Sequence, residues 1–277
     1  MTDPLAELIH FPILSRADFV IFRLLGPGLG NLLFPVYRAY QAHREFGGTL
    51  VFPQFMQLKV GPWLRRERDA RSYGDIFLKR NLTEVRQHIH ALVLSAARDR
   101  SRLRTYEGLG NYFHDLNPKF KSDFIGFLTH RYARQDMLNQ ESSKITPNDI
   151  CVHIRRGDFQ PAGAGGNGGM NYQVDDDWYI QATKVARSKS PTGRVMIFTD
   201  AESTSEKIIN GIMPDEIDTA PDALQSMIKM SKHGQIVASK SSFSLWAAYL
   251  GSGSAIIHHD FDIHRYMPES TTEVIRV

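Results

Sequence analysis

Asp149-Ile150-Cys151-Val152-His153-Ile154-Arg155-Arg156-Gly157-Asp158-Phe159 is the stretch on which the reading of the fold turns. Ile150, Val152 and Ile154 make a short β-rich run, and Thr146-Pro147-Asn148 breaks the pattern just ahead of it. Polar residues crowd its carboxyl end: His153, Arg155, Arg156 and Asp158, then a loop carrying Gly163, Gly165, Gly166, Gly168 and Gly169. In open α/β sheets, ligands sit outside the carboxyl ends of strands. Two adjacent guanidinium groups that keep their charge suit a cluster of anionic oxygens such as a diphosphate. A surface ion-pair cluster on an edge strand needs the same residues, so both readings stay open at this point.

Downstream, the chain alternates. Helix patterns over 176–188, 203–212, 222–233 and 243–251 separate strand patterns over 194–199, 235–239 and 255–258, with a weak segment at 216–219. Strands spaced by helical stretches of about 10–15 residues imply a parallel sheet with right-handed crossovers. Asp200 ends the first of these strands and so points at the carboxyl rim. Ser241, Ser242 and Phe243 follow the strand at 235–239 and open a helix, where serine hydroxyls and first-turn amides hold a phosphate, cap the helix, or do both. Asp222, after Pro221, is likewise an N-cap candidate. Asp175-Asp176-Asp177 either binds Mg²⁺ or complements the dipole of the helix it opens, and the dipole is the simpler explanation. His258, His259 and His264 lack zinc-ligand spacing, so no metal is expected.

Upstream, residues 1–16 read as an irregular leader with Pro4 and Pro12. A strand over 18–25 runs into Gly26-Pro27-Gly28-Leu29-Gly30-Asn31, then a helix over 32–46, Gly47-Gly48, and a strand at 49–52, the start of a βαβ unit. The glycine turn offers backbone N–H groups to an anion, or is plain turn chemistry. Residues 54–81, with Trp63, Arg65, Arg66, Arg68 and Arg71, read as an irregular region with a solvated basic face. A helix over 82–103, a strand and turn at 108–116 and a helix over 123–140 follow. The last carries Phe124, Phe127, Leu128, Tyr132, Met137 and Leu138 as its apolar stripe. The break at 146–148 divides an N-terminal lobe, 1–148, from a C-terminal lobe, 149–277.

A chain of 277 residues holds one large or two small domains, and its 42% hydrophobic and 23% charged content is that of an ordinary soluble protein. The net charge of +3 fits a polyanionic small ligand or an anionic membrane surface without demanding either. Dense Lys/Arg and aromatic interleaving is absent, so nucleic acid is not an expected partner. The single cysteine, Cys151, excludes an internal disulfide. There is no secretory leader pattern and no apolar run of about 18 residues. The expectation is a bacterial cytoplasmic protein with no transmembrane segment, leaving room for peripheral association with the inner face of the membrane; the alternative is a chain trimmed of its anchor.

His153-x-Arg155-Arg156-x-Asp158 resembles the first signature of the α1,2-fucosyltransferases, a superfamily signature shared with α1,6- and protein O-fucosyltransferases. Gly28-Leu29-Gly30-Asn31 followed by Phe34 resembles that family's N-terminal Gly-x-Gly-Asn motif, although Leu32 stands where Gln is usual. Asp222 through Met227, and the run from Ile236 through Ser241-Ser242-Phe243-Ser244 to Trp246, resemble its later signature. Phe198-Thr199-Asp200 is similar to the intervening strand end. These motifs occur in order over roughly residues 23–50 and 149–251.

The resemblance implies an α/β enzyme of GT-B-like form, with two Rossmann-like lobes facing a central cleft. Lobe 1–148 would be acceptor-side and lobe 149–277 would bind the GDP-sugar. The implied reaction moves fucose from GDP-fucose to a glycan hydroxyl with inversion, of α1,2 type, needing neither cofactor nor metal. The implied site has Arg155 stabilising the leaving GDP and Asp158 as the nearby carboxylate, with Gly28, Gly30, Asn31, His153, Arg156, Asp200, Asp222, Ser241, Ser242 and Phe243 contacting the donor. Asp222 would read guanine, whose N1–H and N2–H₂ want a carboxylate. Related α1,6-enzymes carry a glutamate just past the first signature, whereas residues 159–174 here contain no acid. The alternatives are an α1,6- or protein O-fucosyltransferase-like enzyme and a non-catalytic sugar-nucleotide or glycan-binding protein.

Overall fold

The run at 150–154 forms a strand buried on both faces. In the computed structural model, which describes residues 8–24, 27–58, 73–157, 173–201, 204–218, 222–269 and 273–277, the chain divides into two compact units, Met1–Ala133 and Arg134–Val277.

The first unit runs β1 (Ile9–Ile13), β2 (Arg23–Leu24), α1 (Leu29–Phe46), β3 (Thr49–Leu50), β4 (Gln57–Leu58), α2 (Leu82–Ala96), β5 (Leu103–Glu107) and α3 (Lys121–Arg131). Strand β1 is the middle of a parallel sheet ordered β3-β1-β5, and β2 pairs in parallel with β4. Its sheet-side core gathers Ile9, Phe11, Val51, Ala91, Leu94 and Leu103. The inner face of α1 is fully buried at Leu33, Phe34, Val36 and Tyr37; Phe34 meets Phe113 edge-on and Tyr37 packs on Phe124.

Several expectations are corrected here. Residues 9–13 are not irregular leader but the central strand. Pairing with β3 stops at His10, so among the described residues Pro12 has β5 alone alongside it, and its missing N–H is tolerated. The strand expected over 18–25 shrinks to Arg23–Leu24, because Asp18 bridges back to Arg23 in a tight reversal. The helix expected to reach 103 ends at Ala96, and the strand expected within 108–116 comes earlier, as β5, with Tyr112–Asp115 forming a 3-10 turn. The helix expected over 123–140 is two helices. Tyr132 leaves α3 in an extended conformation (φ −74°, ψ 131°) and bridges Phe77 before α4 (Gln135–Ser142) begins.

Helix α4 packs with the second unit, against α7, so the division by contact falls ahead of the expected boundary at 148. That unit continues β6 (Ile150–Ile154), α5 (Asp176–Lys189), β7 (Val195–Thr199), α6 (Glu206–Ile212), β8 (Glu216–Ile217), α7 (Ala223–Met230), β9 (Gln235–Val237), α8 (Ser242–Leu250), β10 (Ser254–Ile257) and β11 (Val274–Arg276). Among the described residues it forms one six-stranded parallel sheet, ordered β11-β10-β9-β6-β7-β8. Successive side chains on β6 alternate faces. Ile150, Val152 and Ile154 join Val195, Ile197, Val237 and Ile256 under Trp178, Tyr179, Ala182 and Ala186 of α5 and Ile208 and Ile212 of α6. Burial of each such aliphatic side chain stabilises the fold by about 1.5–3 kcal/mol. Cys151 and His153 take the other face, as does Phe198 in register with His153, and Phe198 lies beside Lys229 and His233 on the α7 side. Helices thus cover both faces, which is why the core strands read as continuous apolar runs. Asp149 fastens the amino end of β6, accepting from the backbone N–H groups of Thr146 and Arg194 and pairing with the Arg194 guanidinium at 2.9 Å.

Among the described residues, no helix is long and apolar enough to cross a membrane.

Candidate active site

The strand order reverses at β6. The chain goes from β6 out to β7 and β8, then returns to lay β9, β10 and β11 on the opposite side. The carboxyl ends of β6 and β9 therefore lie side by side at the switch point, where doubly wound sheets take their ligands. The residues joined there come from the ends of β6, β7 and β9.

His153, near the end of β6, is 3% exposed. Its Nδ1 lies 2.7 Å from the Ser239 hydroxyl just past β9, and its ring packs 5.3 Å from that of Phe243. Burial, reinforced by the positive charge of Arg155 and only partly opposed by Asp200, lowers its pKa to about 3. The imidazole is neutral at physiological pH.

Arg155 Nη1 pairs with Asp200 Oδ2 at 2.8 Å, both side chains being about one-fifth exposed. The other carboxylate oxygen of Asp200 accepts the backbone N–H of Arg156 at 2.7 Å. Asp200, at the end of β7, therefore fixes both the Arg155 fork and the turn that follows β6. Gly157 completes this clamp: a Cβ there would sit 2.3 Å from Asp200 Oδ2. The two arginines divide their tasks. Arg156 donates to the Val174 carbonyl at 2.6 Å, pairs with Asp176 and lies over the Tyr179 ring, so its guanidinium fastens the start of α5.

Ser241 is the N-cap of α8, and Ser242 is its first residue. The Ser241 hydroxyl accepts the Ser244 N–H at 3.4 Å and meets the hydroxyls of Ser239 and Ser244 at 3.1 Å each. Capping thus holds here. Asp222 caps α7, its Oδ1 accepting from Leu224 and Gln225 N–H at 3.0 Å, while Oδ2 pairs with Arg134 at 3.0 Å. Arg134 had no sequence signal, because the residue opens a helix with nothing to tie it to position 222.

Two of the three acids that open α5 are engaged in ion pairs. Asp176 binds Arg156 and the Ser205 hydroxyl, Asp177 binds Lys207 at 2.7 Å, and Asp175 is the N-cap without a side-chain cap bond. Among the described residues, no group of three His, Cys, Asp or Glu side chains is arranged to hold a metal ion. Lys240, past β9, and His258, past β10, converge on Asp260 Oδ1, Lys240 at 2.6 Å, an ionic cluster that sequence reading missed. Its only signal was a lysine flanked by serines at a strand end.

Gly28, Gly30 and Asn31 belong to the first unit, where Gly28 is the N-cap of α1. The Leu29 N–H donates to the Tyr73 hydroxyl at 2.9 Å and the Asn31 N–H to the Gly28 carbonyl at 3.0 Å, so these amides already have internal partners. Asp158 and the glycine loop lie outside the described residues.

A family model for glycosyl transferase family 11 matches residues 106–267, more than half of the chain. The chain belongs to glycosyl transferase family 11. The resemblance carried by the motifs is borne out at the level of the family, and the protein is a glycosyltransferase family member. For this family 11 chain, the match takes in His153, Arg155, Arg156, Asp200, Asp222 and Ser241 to Phe243, and it leaves Gly28, Gly30 and Asn31 outside. No curated protein matches the chain.

Proposed function

We propose that this protein is an inverting fucosyltransferase that moves fucose from GDP-fucose to a glycan hydroxyl, forming an α1,2 linkage. The observation that carries the reading is the Arg155–Asp200 clamp beside His153 and the serine-capped start of α8, at the switch point of a parallel sheet. The second unit, with the lobe from 149 onward at its heart, binds the donor. The first contributes the acceptor side of an enzyme of GT-B-like form, with Gly28, Gly30 and Asn31 as its donor contacts.

The chemistry follows from charge. An acceptor oxygen forms a bond to the anomeric carbon as the bond to the β-phosphate oxygen breaks, and the electron pair leaves with GDP. Negative charge grows on that diphosphate, and a pre-aimed guanidinium stabilises it without reorganising. Arg155 has five N–H donors in a fixed fork. Asp200 orients that fork, Ser241 and Ser242 add hydroxyls, and Arg156 holds the wall. Asp222 takes guanine on the oxygen that faces Arg134. The acceptor proton leaves late, and Asp158, the carboxylate that follows the two arginines in sequence, is the group proposed to take it. With Asp176 and Asp177 engaged, cationic side chains take the part a metal would play. The protein works in the cytoplasm, at most peripherally bound to the membrane.

The test is a donor and acceptor panel with linkage analysis of the product, run with and without EDTA. GDP-fucose should be turned over and a galactoside fucosylated at O2, with chelation leaving the rate unchanged. Transfer only from another sugar nucleotide, or GDP binding with no turnover on any acceptor, would overturn the reading.

A further inference from the structure

The hydroxyls around His153 fix where its proton sits. Four contacts must share the available hydrogens: His153 Nδ1 to Ser239 Oγ at 2.7 Å, Ser239 to Ser241 at 3.1 Å, Ser239 to Ser244 at 3.2 Å, and Ser241 to Ser244 at 3.1 Å. The shortest contact of the Ser244 hydroxyl, 2.9 Å, is to the Ser239 carbonyl, which can only accept, so that hydrogen is removed from the set. Two hydroxyl hydrogens remain, on Ser239 and Ser241. If His153 carried its hydrogen on Nε2, Nδ1 would take the Ser239 hydrogen, and one hydrogen would be left for three oxygen–oxygen contacts. With the hydrogen on Nδ1, the ring donates to Ser239, and both hydroxyl hydrogens remain for those contacts. All three serines are buried, so an unserved contact is a real cost. The ring is neutral, so these are its only two forms.

We propose that Ser239 is a positioning residue that locks His153 in the Nδ1–H tautomer, leaving Nε2 as a bare acceptor for a hydroxyl group of the bound sugar nucleotide. Nε2 has no partner among the described residues, and the ring stands at the switch point beside Arg155. A bare ring nitrogen repels phosphate oxygens, which have no hydrogen to give. It selects instead a ribose or sugar hydroxyl, while Arg155 takes the anion. This deepens the proposed function and rests on its placing of the donor at His153.

The test is long-range proton–nitrogen NMR on protein labelled with ¹⁵N-histidine at pH 7. The His153 signals are those lost in His153→Gln. The free protein should show the Nδ1–H pattern; Ser239→Ala should shift it toward Nε2–H, and Ser239→Thr, which keeps the hydroxyl, should restore it. An Nε2–H pattern in the unaltered protein overturns the proposal whatever the ligand. Added GDP, which brings only ribose hydroxyls, should move the Nε2 signal if ribose is the partner, and only GDP-fucose should move it if the sugar is. If calorimetry shows GDP-fucose bound but neither ligand moves Nε2, the acceptor role fails while the donor-site reading stands. If calorimetry shows neither bound, that reading fails and takes the acceptor role with it, and the tautomer is judged on the free protein alone. Donor turnover efficiency should fall about tenfold in Ser239→Ala, the effect of one misdirected hydrogen bond.

Discussion

Gly157→Ala is a one-methyl change aimed at the clamp. The new Cβ would lie 2.3 Å from Asp200 Oδ2 and 3.1 Å from its Cγ, so the carboxylate must retreat by roughly 1 Å to regain ordinary van der Waals contact. Asp200 has a short side chain held at both oxygens, by the Arg155 guanidinium at 2.8 Å and the Arg156 N–H at 2.7 Å. A retreat of that size breaks or stretches both. Each is a bond to a charged group in a mostly buried setting, so we expect a loss of about 2–4 kcal/mol in unfolding free energy. Donor turnover should also fall, because the Arg155 fork loses its guide. The assay is urea unfolding alongside initial rates with GDP-fucose. A double-mutant cycle isolates the cause: in an Asp200→Ala background, Gly157→Ala has nothing to strike and should cost less than about 1 kcal/mol. Additive effects of the two changes, or a Gly157→Ala variant as stable and active as the parent, would refute the clamp.

Asp222→Asn keeps a good N-cap for α7 but removes the anionic acceptor, so stability should change little while the preference for GDP over ADP drops about tenfold or more in calorimetry. An unchanged preference means Asp222 only caps the helix and holds Arg134. His153 carries a stability signature in acid. Its folded pKa of about 3 lies below the ordinary 6.5, so the unfolded chain binds the proton first. Its contribution is complete above pH 6.5 and is lost as pH falls from there toward 3, at about 1.4 kcal/mol per pH unit. Unfolding free energies at pH 6.5 and 5 should therefore fall by roughly 2 kcal/mol more in the parent than in His153→Gln, and parallel curves would contradict the burial of a neutral ring.

The second unit was legible because its central strands are buried on both faces. Ile150 to Ile154, Val195 to Thr199 and Ser254 to Ile257 carry their apolar signal in short continuous runs, and capping serines and aspartates mark the helices between them. The first unit was not. Pro12 spoke against a strand because sequence cannot tell that β3 stops two residues earlier. The apolar stripe of 123–140 runs through Tyr132, yet pairing with Phe77 pulls that residue out of the helix, a tertiary contact overriding a helical period. In the site, the motifs named the strand ends correctly as the places where polar residues gather. They gave the leading role to Arg155 and a donor contact to Arg156, but only packing shows Arg156 turned onto Val174, Asp176 and Tyr179. Nor could they pair Arg155 with Asp200, or find Ser239 under His153, since each pair joins residues brought together only by strand order.

Turnover and donor affinity of folded Arg155→Lys test the central claim most directly. Lysine keeps a positive charge for Asp200 but loses the planar fork. If Arg155 stabilises the departing diphosphate, turnover should fall roughly 10²–10³-fold, as for loss of one pre-aimed donor, while GDP-fucose affinity changes much less. A variant that folds, binds donor and turns over at the parent rate would contradict it.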